Sequence, residues 1–211
     1  VNPYLDPRSI QAQKLFISAI ASRYQNTPGV IWDLINEPSF CSPEQLWLCR
    51  PNYDLHESTA WKDWLGKQAP AGDEASTAGV IRERHRLLPG EDPSLPAITE
   101  FQDTNIIGDR RPLRVGDYRL FAQEMFRRWT AEMGSALREG AGVRQLLTVG
   151  QDEGGTYERP GPHFFGSGVD FTSMHNWWFN DDLLWDSVVT SVEGKPNLIG
   201  ETGVMFYEKA D

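Results

Sequence analysis

The chain has 211 residues, of which 39% are hydrophobic and 24% charged, a composition typical of one globular domain. Its 30 acidic and 20 basic side chains give a formal net charge of −10, which disfavours binding to nucleic acid or to an anionic membrane surface. No apolar run approaches the roughly 18 residues that a membrane-spanning helix requires. Composition and charge therefore favour a neutral molecule as the partner, with no nucleic acid and no membrane.

The first predicted elements are a helix and a buried strand. The segment Asp-Pro-Arg-Ser at 6–9 is a helix start, and apolar residues continue at helical spacing to about Tyr24. The breakers Asn-Thr-Pro-Gly at 26–29 separate this helix from a mostly apolar, β-branched run at 30–35. Such a run is typical of a strand in a parallel sheet, so the order helix, turn, strand predicts an αβ unit.

Residues 39 to about 116 are less regular and predict a long insertion after this strand. Short helical patches are expected in it at 57–67 and 78–87. Its two cysteines, Cys41 and Cys49, lie in one polar loop and can either form a disulfide or stay as thiols. His85, in the same insertion, is expected at the surface.

A long amphipathic helix is expected after the insertion, from about Tyr118 to Glu139. Asp117 is placed to cap its N-terminus, and Gly140 to end it. Further strands are predicted at 145–149, 169–175 and 197–200, with a helix at 181–192. Strands that alternate with helices predict an α/β fold with a parallel sheet, in which ligands gather at the carboxyl ends of the strands.

Two glutamates lie at these carboxyl ends. Glu37 follows the first strand in Asn-Glu-Pro, and Glu201 follows the last strand in Gly-Glu-Thr-Gly. Glycoside hydrolysis needs two carboxyl groups at one bond, one protonated to assist the leaving oxygen and one ionised to attack the anomeric carbon. Each motif is weak alone, but the two together, with His175 at a strand end between them, predict the active site of a glycosidase.

Three segments carry a resemblance to known enzymes. They are Val-Ile-Trp-Asp-Leu-Ile-Asn-Glu-Pro at 30–38, Met-His-Asn-Trp at 174–177 and Leu-Ile-Gly-Glu-Thr-Gly at 198–203. In these segments the chain resembles the clan A glycoside hydrolases, the (β/α)8 barrels that include family 5 cellulases and mannanases and the related β-galactosidases and β-glucuronidases. The resemblance implies a retaining mechanism with Glu37, ending strand 4, as acid/base and Glu201, ending strand 7, as nucleophile. It implies a carbohydrate substrate, with no cofactor and no metal.

Several substrate contacts are also expected. The resemblance implies that Asn36 binds the sugar 2-hydroxyl and that His175, ending strand 6, lines the site and hydrogen-bonds near the nucleophile. Trp177 stands where many members carry Tyr; because it lacks the hydroxyl, it is expected only to stack on a sugar ring. Asp152 and Glu153 follow the second strand, so they face the same edge and either bind substrate hydroxyls or cap the loop.

The resemblance covers only helix 3 to strand 7 of such a barrel. The insertion after strand 4 is long, and the loop 150–168 replaces helix 5. These features predict that residues 1–211 form a single incomplete TIM-barrel domain, a partial (β/α)8 barrel belonging to a larger catalytic domain. Three alternatives stay open: a non-catalytic carbohydrate-binding barrel, an inactive fragment of a glycosidase, and a metal-dependent hydrolase using His175 with Asp152 or Glu153. The sequence specifies neither the sugar nor the oligomeric state.

Overall fold

A computed structural model of the chain describes residues 1–40, 48–68, 74–102, 111–151, 158–177 and 183–203. The four predicted strands, and most of the predicted helices, lie within a few residues of the positions that the hydrophobic pattern gives them. The helices are α1 (Pro7–Tyr24), α2 (Leu55–Gln68), α3 (Glu74–Arg84), α4 (Pro112–Ser135), α5 (Pro162–Phe165) and α6 (Leu183–Val189). The strands are β1 (Trp32–Asn36), β2 (Leu147–Gln151), β3 (Thr172–Asn176) and β4 (Asn197–Thr202).

The four strands of this described part form one parallel sheet in the order β1-β2-β3-β4. Each strand pairs with the next along the chain, and helices connect them, so the α/β prediction is confirmed. Residues 162–168 between β2 and β3 hold two short helical turns, and residues 152–157 of the loop predicted to replace helix 5 lie outside the described part of the chain. Within the described ranges, none of the helices combines the length and apolar character that crossing a lipid bilayer demands.

The ladder is irregular at two places, both toward the carboxyl ends of the strands. Register shifts between Asp33 and Asn36 in the β1–β2 pair, and between Met174 and His175 in the β3–β4 pair. An extra residue in one strand bends it and changes the direction of the side chains that follow. Both irregularities immediately precede residues that the sequence assigns to the site.

The insertion packs on α4 through an aromatic cluster. Trp61 of α2 is almost fully buried and contacts Phe121 of α4 edge-on, with the ring centroids 5.4 Å apart. Trp61 also stacks on Trp64 and tilts against Tyr118. Aromatic rings bury large apolar areas, so this cluster joins the insertion to the α/β unit as one core.

Two predictions about the insertion and α4 are wrong. The helix begins at Pro112, so Asp117 is not an N-cap but a buried residue inside it. His85 is fully buried rather than exposed, and its Nε2 lies 2.9 Å from Asp117 Oδ2. Burial alone would raise the pKa of Asp117, but hydrogen bonds from Arg84 and His85 outweigh it and hold the pKa below its usual value. The buried carboxylate thus pairs with Arg84, the last residue of α3, and with His85 directly after it, which the local sequence does not reveal.

Glu57 is a second buried carboxylate, and it makes the stability of the insertion depend on pH. It accepts hydrogen bonds from the Tyr118 hydroxyl at 2.7 Å and from the backbone N–H groups of Asn52 and Tyr53 at 2.7 and 2.9 Å. Burial nevertheless dominates and raises its pKa to about 7. The folded state therefore holds the proton more tightly than the unfolded chain, and stability from this group falls as pH rises from about 4.5 to about 7.

Replacing Glu57 with Gln is expected to remove this component of the pH dependence. The amide oxygen can accept from the N–H groups of Asn52 and Tyr53, and its NH2 can donate to the hydroxyl oxygen of Tyr118 in place of accepting from it. The pKa difference corresponds to about 3 kcal/mol between the two ends of the window. The measurement is urea unfolding of wild type and E57Q at several pH values from 4.5 to 8. E83Q, on the exposed face of α3, is the matched control and should follow wild type. Parallel curves for E57Q and wild type would contradict the assignment.

Candidate active site

Glu37, His175 and Glu201 meet at the carboxyl edge of the sheet. His175 Nδ1 lies 3.0 Å from Glu37 Oε1 and 3.5 Å from Glu201 Oε2. One carboxylate oxygen from each glutamate and the imidazole nitrogen all lie within 4.8 Å of one another. The structure therefore brings together the three residues that the sequence placed at separate strand ends.

The backbone fixes each of the three. Glu37 adopts a left-handed conformation with φ of 46°, which is unusual for a residue with a side chain and occurs often at functional sites. Its N–H donates to the carbonyl of Gly150 in β2 at 2.7 Å. His175 and Glu201 are direct partners in the β3–β4 ladder, so their side chains leave the sheet next to each other.

The imidazole is buried beneath two accessible carboxylates. The side chain of His175 is 2% exposed, against 21% for Glu37 and 38% for Glu201. A Cβ atom on Gly150 would lie 3.0 Å from His175 Nε2, and one on Gly200 would lie 3.4 Å from the same atom. Glycines on both neighbouring strands thus leave room for the ring, while the carboxylates face solvent, where a substrate can reach them.

Trp177 has a contact that the sequence analysis did not assign. It was expected only to stack on a sugar, because it lacks the hydroxyl of Tyr. In the structure its indole Nε1–H donates to Glu201 Oε2 at 3.1 Å. The indole is thus a hydrogen-bond donor to the second carboxylate, and its ring rests against Gly203, where a Cβ would lie 2.5 Å from Cζ3.

Of the other residues that the sequence singles out, the structure describes only some. Asn36 is exposed at the end of β1, directly before Glu37, and its contact with a sugar hydroxyl stays a prediction. Asp152 and Glu153 lie outside the described residues, immediately after the last residue of β2. Cys41 lies outside them as well, so the disulfide with Cys49 stays an open prediction.

Asp33 is a site residue that sequence reasoning missed. It belongs to the edge strand β1, but its carboxylate turns over the sheet and accepts hydrogen bonds from Gly150 N at 2.8 Å and Ile35 N at 3.2 Å. Burial raises the pKa of this carboxyl, although both N–H donors and the nearby His175 act in the opposite direction. The sequence does carry a sign of this role, because Asp33 is an acidic residue within the otherwise apolar run 30–35.

This arrangement has two chemical capabilities. Two accessible carboxylates on either side of an imidazole can supply a nucleophile and a proton donor to one bond. The same three groups can also converge on a divalent ion, since zinc takes imidazole nitrogen and carboxylate oxygen at roughly 2.0–2.2 Å.

Comparison with known proteins shows which solved structures share the fold of this chain. No protein-family profile matches the chain, and no curated protein matches it. Among solved structures, a β-galactosidase from Bacillus circulans sp. alkalophilus is similar over 83% of this chain, with a TM-score of 0.60 and 16% identity. A β-galactosidase from the psychrophilic Marinomonas ef1 is similar over 85% of it, with a TM-score of 0.58 and 15% identity. The chain spans about a quarter of each, 24% and 27% of their lengths. It therefore shares the fold of that part of these enzymes.

Proposed function

We propose that this chain carries the catalytic residues of a retaining glycoside hydrolase that cleaves β-glycosidic bonds. The observation that carries the proposal is the pair Glu37 and Glu201 at one sheet edge, with carboxylate oxygens within 4.8 Å of each other. Retaining glycosidases hold their two carboxyl groups about 5–5.5 Å apart, whereas inverting enzymes leave room for a water between them. The fold shared with two β-galactosidases supports the same function.

Glu201 is assigned as the nucleophile. Its Oε2 accepts a hydrogen bond from Trp177, which holds the carboxylate in one orientation, as attack on an anomeric carbon requires. Its other oxygen is left to form the bond to that carbon. The leaving oxygen departs with the electrons of the glycosidic bond, and a covalent glycosyl-enzyme results.

Glu37 is assigned as the acid/base. In the first step it gives its proton to the departing oxygen, and in the second it takes a proton from the water that attacks the anomeric carbon. That attack releases Glu201 as a carboxylate and yields a product with the original anomeric configuration. His175 Nδ1 lies between the two carboxylates, 3.0 Å from Glu37 Oε1 and 3.5 Å from Glu201 Oε2, and holds their side chains in place.

The substrate class is a β-linked oligosaccharide, polysaccharide or glycoconjugate. Asn36 is proposed to bind the sugar 2-hydroxyl, and Trp177 is proposed to stack on a sugar ring beside the nucleophile. Asp152 and Glu153 are proposed to contact further hydroxyls. Galactosides are the first substrates to test, because the similar solved structures are β-galactosidases.

A single incomplete TIM-barrel domain, with an insertion at about 39–116, is proposed as the architecture. The helices that flank the outer strands carry apolar residues that are largely exposed in the described part of the chain. On α1 these include Leu15 and Phe16, and on α6 Leu184 and Trp185. Further β/α units beside β1 and β4 would bury these side chains and pair the open strand edges.

A metal-dependent hydrolase is the second candidate, and one observation favours it. Glu37, His175 and Glu201 present three ligand atoms in a compact group. In such an enzyme a bound divalent ion would activate a water molecule. That water, and not a glutamate carboxylate, would then attack the anomeric carbon. This candidate needs His175 Nδ1 without a proton, so that its lone pair faces the ion.

The test is an assay of the complete protein on a panel of aryl β-glycosides, beginning with the β-galactoside, with and without EDTA. We expect hydrolysis that EDTA leaves unchanged, and a first-formed product of β configuration when the reaction is followed by NMR. A first product of α configuration would contradict the retaining mechanism. Loss of activity with EDTA and its recovery with zinc would favour the metal-dependent candidate, and no turnover of any β-glycoside would overturn the proposed function.

A further inference from the structure

The β1–β2 ladder contains one extra residue just before Glu37. Asp33 pairs with Thr148 and Asn36 pairs with Gly150, so three steps along β1 match two steps along β2. This is the geometry of a β-bulge, which changes the direction of the side chains beyond it. The orientation of Glu37 therefore depends on whatever holds the bulge in place.

The side chain of Asp33 occupies the gap in that ladder. Its Oδ1 accepts the N–H of Gly150 at 2.8 Å and that of Ile35 at 3.2 Å. The carbonyl of Gly150 in turn accepts the N–H of Glu37 at 2.7 Å. The N–H of Gly150 thus binds Asp33, and the carbonyl of the same residue binds Glu37.

The second oxygen of Asp33 and the ring of His175 both lie against Gly150. A Cβ atom on Gly150 would lie 2.5 Å from Asp33 Oδ2 and 3.0 Å from His175 Nε2, so both groups occupy the space that a side chain would need. In the described part of the chain, no hydrogen bond or ion pair joins Asp33 to His175, whose ring nitrogen Nδ1 faces Glu37 and Glu201 instead. The direct contacts of Asp33 are therefore those that hold the bulge.

We propose that Asp33 is a positioning residue that sets the geometry of Glu37. Through Oδ1 it clamps the bulge that aims Glu37 toward His175 and Glu201. Gly150 is the residue that allows this, since a Cβ atom there would lie 2.5 Å from Asp33 Oδ2 and would displace the carboxylate. The kinetic part of the proposal rests on the proposed glycosidase function, whereas the structural part does not.

Asp33→Ala in the complete protein is expected to lower kcat by ~10–100-fold with little change in KM, because a small misplacement of catalytic groups has effects of this size. Asp33→Asn keeps an oxygen that can accept from Gly150 N and should recover part of the loss. Gly150→Ala should resemble Asp33→Ala. Asp170→Ala is the matched control: Asp170 also accepts a β2 backbone N–H, that of Leu147 at 2.7 Å, but at the opposite end of the strand. It should lose stability and keep its kcat.

A second measurement separates this proposal from the proposed function. The 15N chemical shifts of the His175 ring report which nitrogen carries the proton, and they are measurable whether or not the protein hydrolyses a glycoside. We expect them to change in Asp33→Ala, because a displaced Glu37 would alter the 3.0 Å contact between its Oε1 and His175 Nδ1, and to stay as in wild type in Asp170→Ala. Unchanged shifts, or equal losses of kcat in Asp33→Ala and Asp170→Ala, would overturn the positioning role.

Discussion

Replacing Glu201 with glycine is expected to reduce the hydrolysis of aryl β-glycosides by roughly 10⁴-fold or more, since loss of a nucleophile removes a whole catalytic unit. The glycine leaves a cavity on the face of the sugar from which the carboxylate would attack. A small anion can enter that cavity, so azide should restore turnover of a substrate with a good leaving group. The product should be the α-glycosyl azide, identified by NMR, because azide replaces the enzyme nucleophile in a single displacement.

Glu201→Gln is the matched comparison for this experiment. The amide has nearly the same volume and can still accept the hydrogen bond from Trp177, but it leaves no cavity. It should be as inactive as the glycine variant and should not respond to azide. Hydrolysis at a rate close to wild type in either variant would remove Glu201 from the nucleophile role.

Replacing Glu37 with alanine is expected to produce a loss that depends on the leaving group. A general acid contributes roughly 10²–10⁴-fold to the rate, and its effect is largest when the departing oxygen is basic. Alkyl and phenyl glycosides should therefore suffer the full loss. A dinitrophenyl glycoside should still form the glycosyl-enzyme rapidly and then accumulate it, because no base activates the water of the second step.

Stopped-flow release of dinitrophenol measures this difference as a burst followed by slow turnover. Azide needs no base, so it should accelerate the second step and give the β-glycosyl azide, the opposite anomer to that from the Glu201 variant. Asn36→Ala serves as a comparison, since loss of a sugar contact should affect all leaving groups alike. An equal loss for every leaving group in Glu37→Ala would contradict the acid/base assignment.

The sequence is sufficient to predict the strands and the sheet edge of the site. Runs such as 30–35 and 197–200 are mostly apolar and bounded by Gly, Pro or polar residues, so the local sequence identifies them as strands. Parallel strands then bring Glu37, His175 and Glu201 to one edge, and the structure places them there. The strands follow from local sequence patterns, and the meeting of the three residues follows from the parallel arrangement of those strands.

Other features depend on contacts between distant residues, which local pattern does not contain. Asp117 looks like an N-cap, but it is buried inside α4, where Arg84 and His85 contact it from the C-terminal end of α3 and the turn after it. The role of Asp33 depends on a bulge that exists only once β1 pairs with β2. Trp177 looked like a stacking ring, and its donor role depends on where Glu201 lies across the ladder.

The close contact between Trp177 and Gly203 has a consequence for how this site changes during evolution. The indole fills the space where any side chain at 203 would start, so a larger residue at 203 is incompatible with Trp at 177. A smaller ring or an aliphatic residue at 177 would lift that restriction. Among homologous sequences the two positions should therefore covary, and the pair would mark the lineages in which an indole N–H serves the carboxylate at 201.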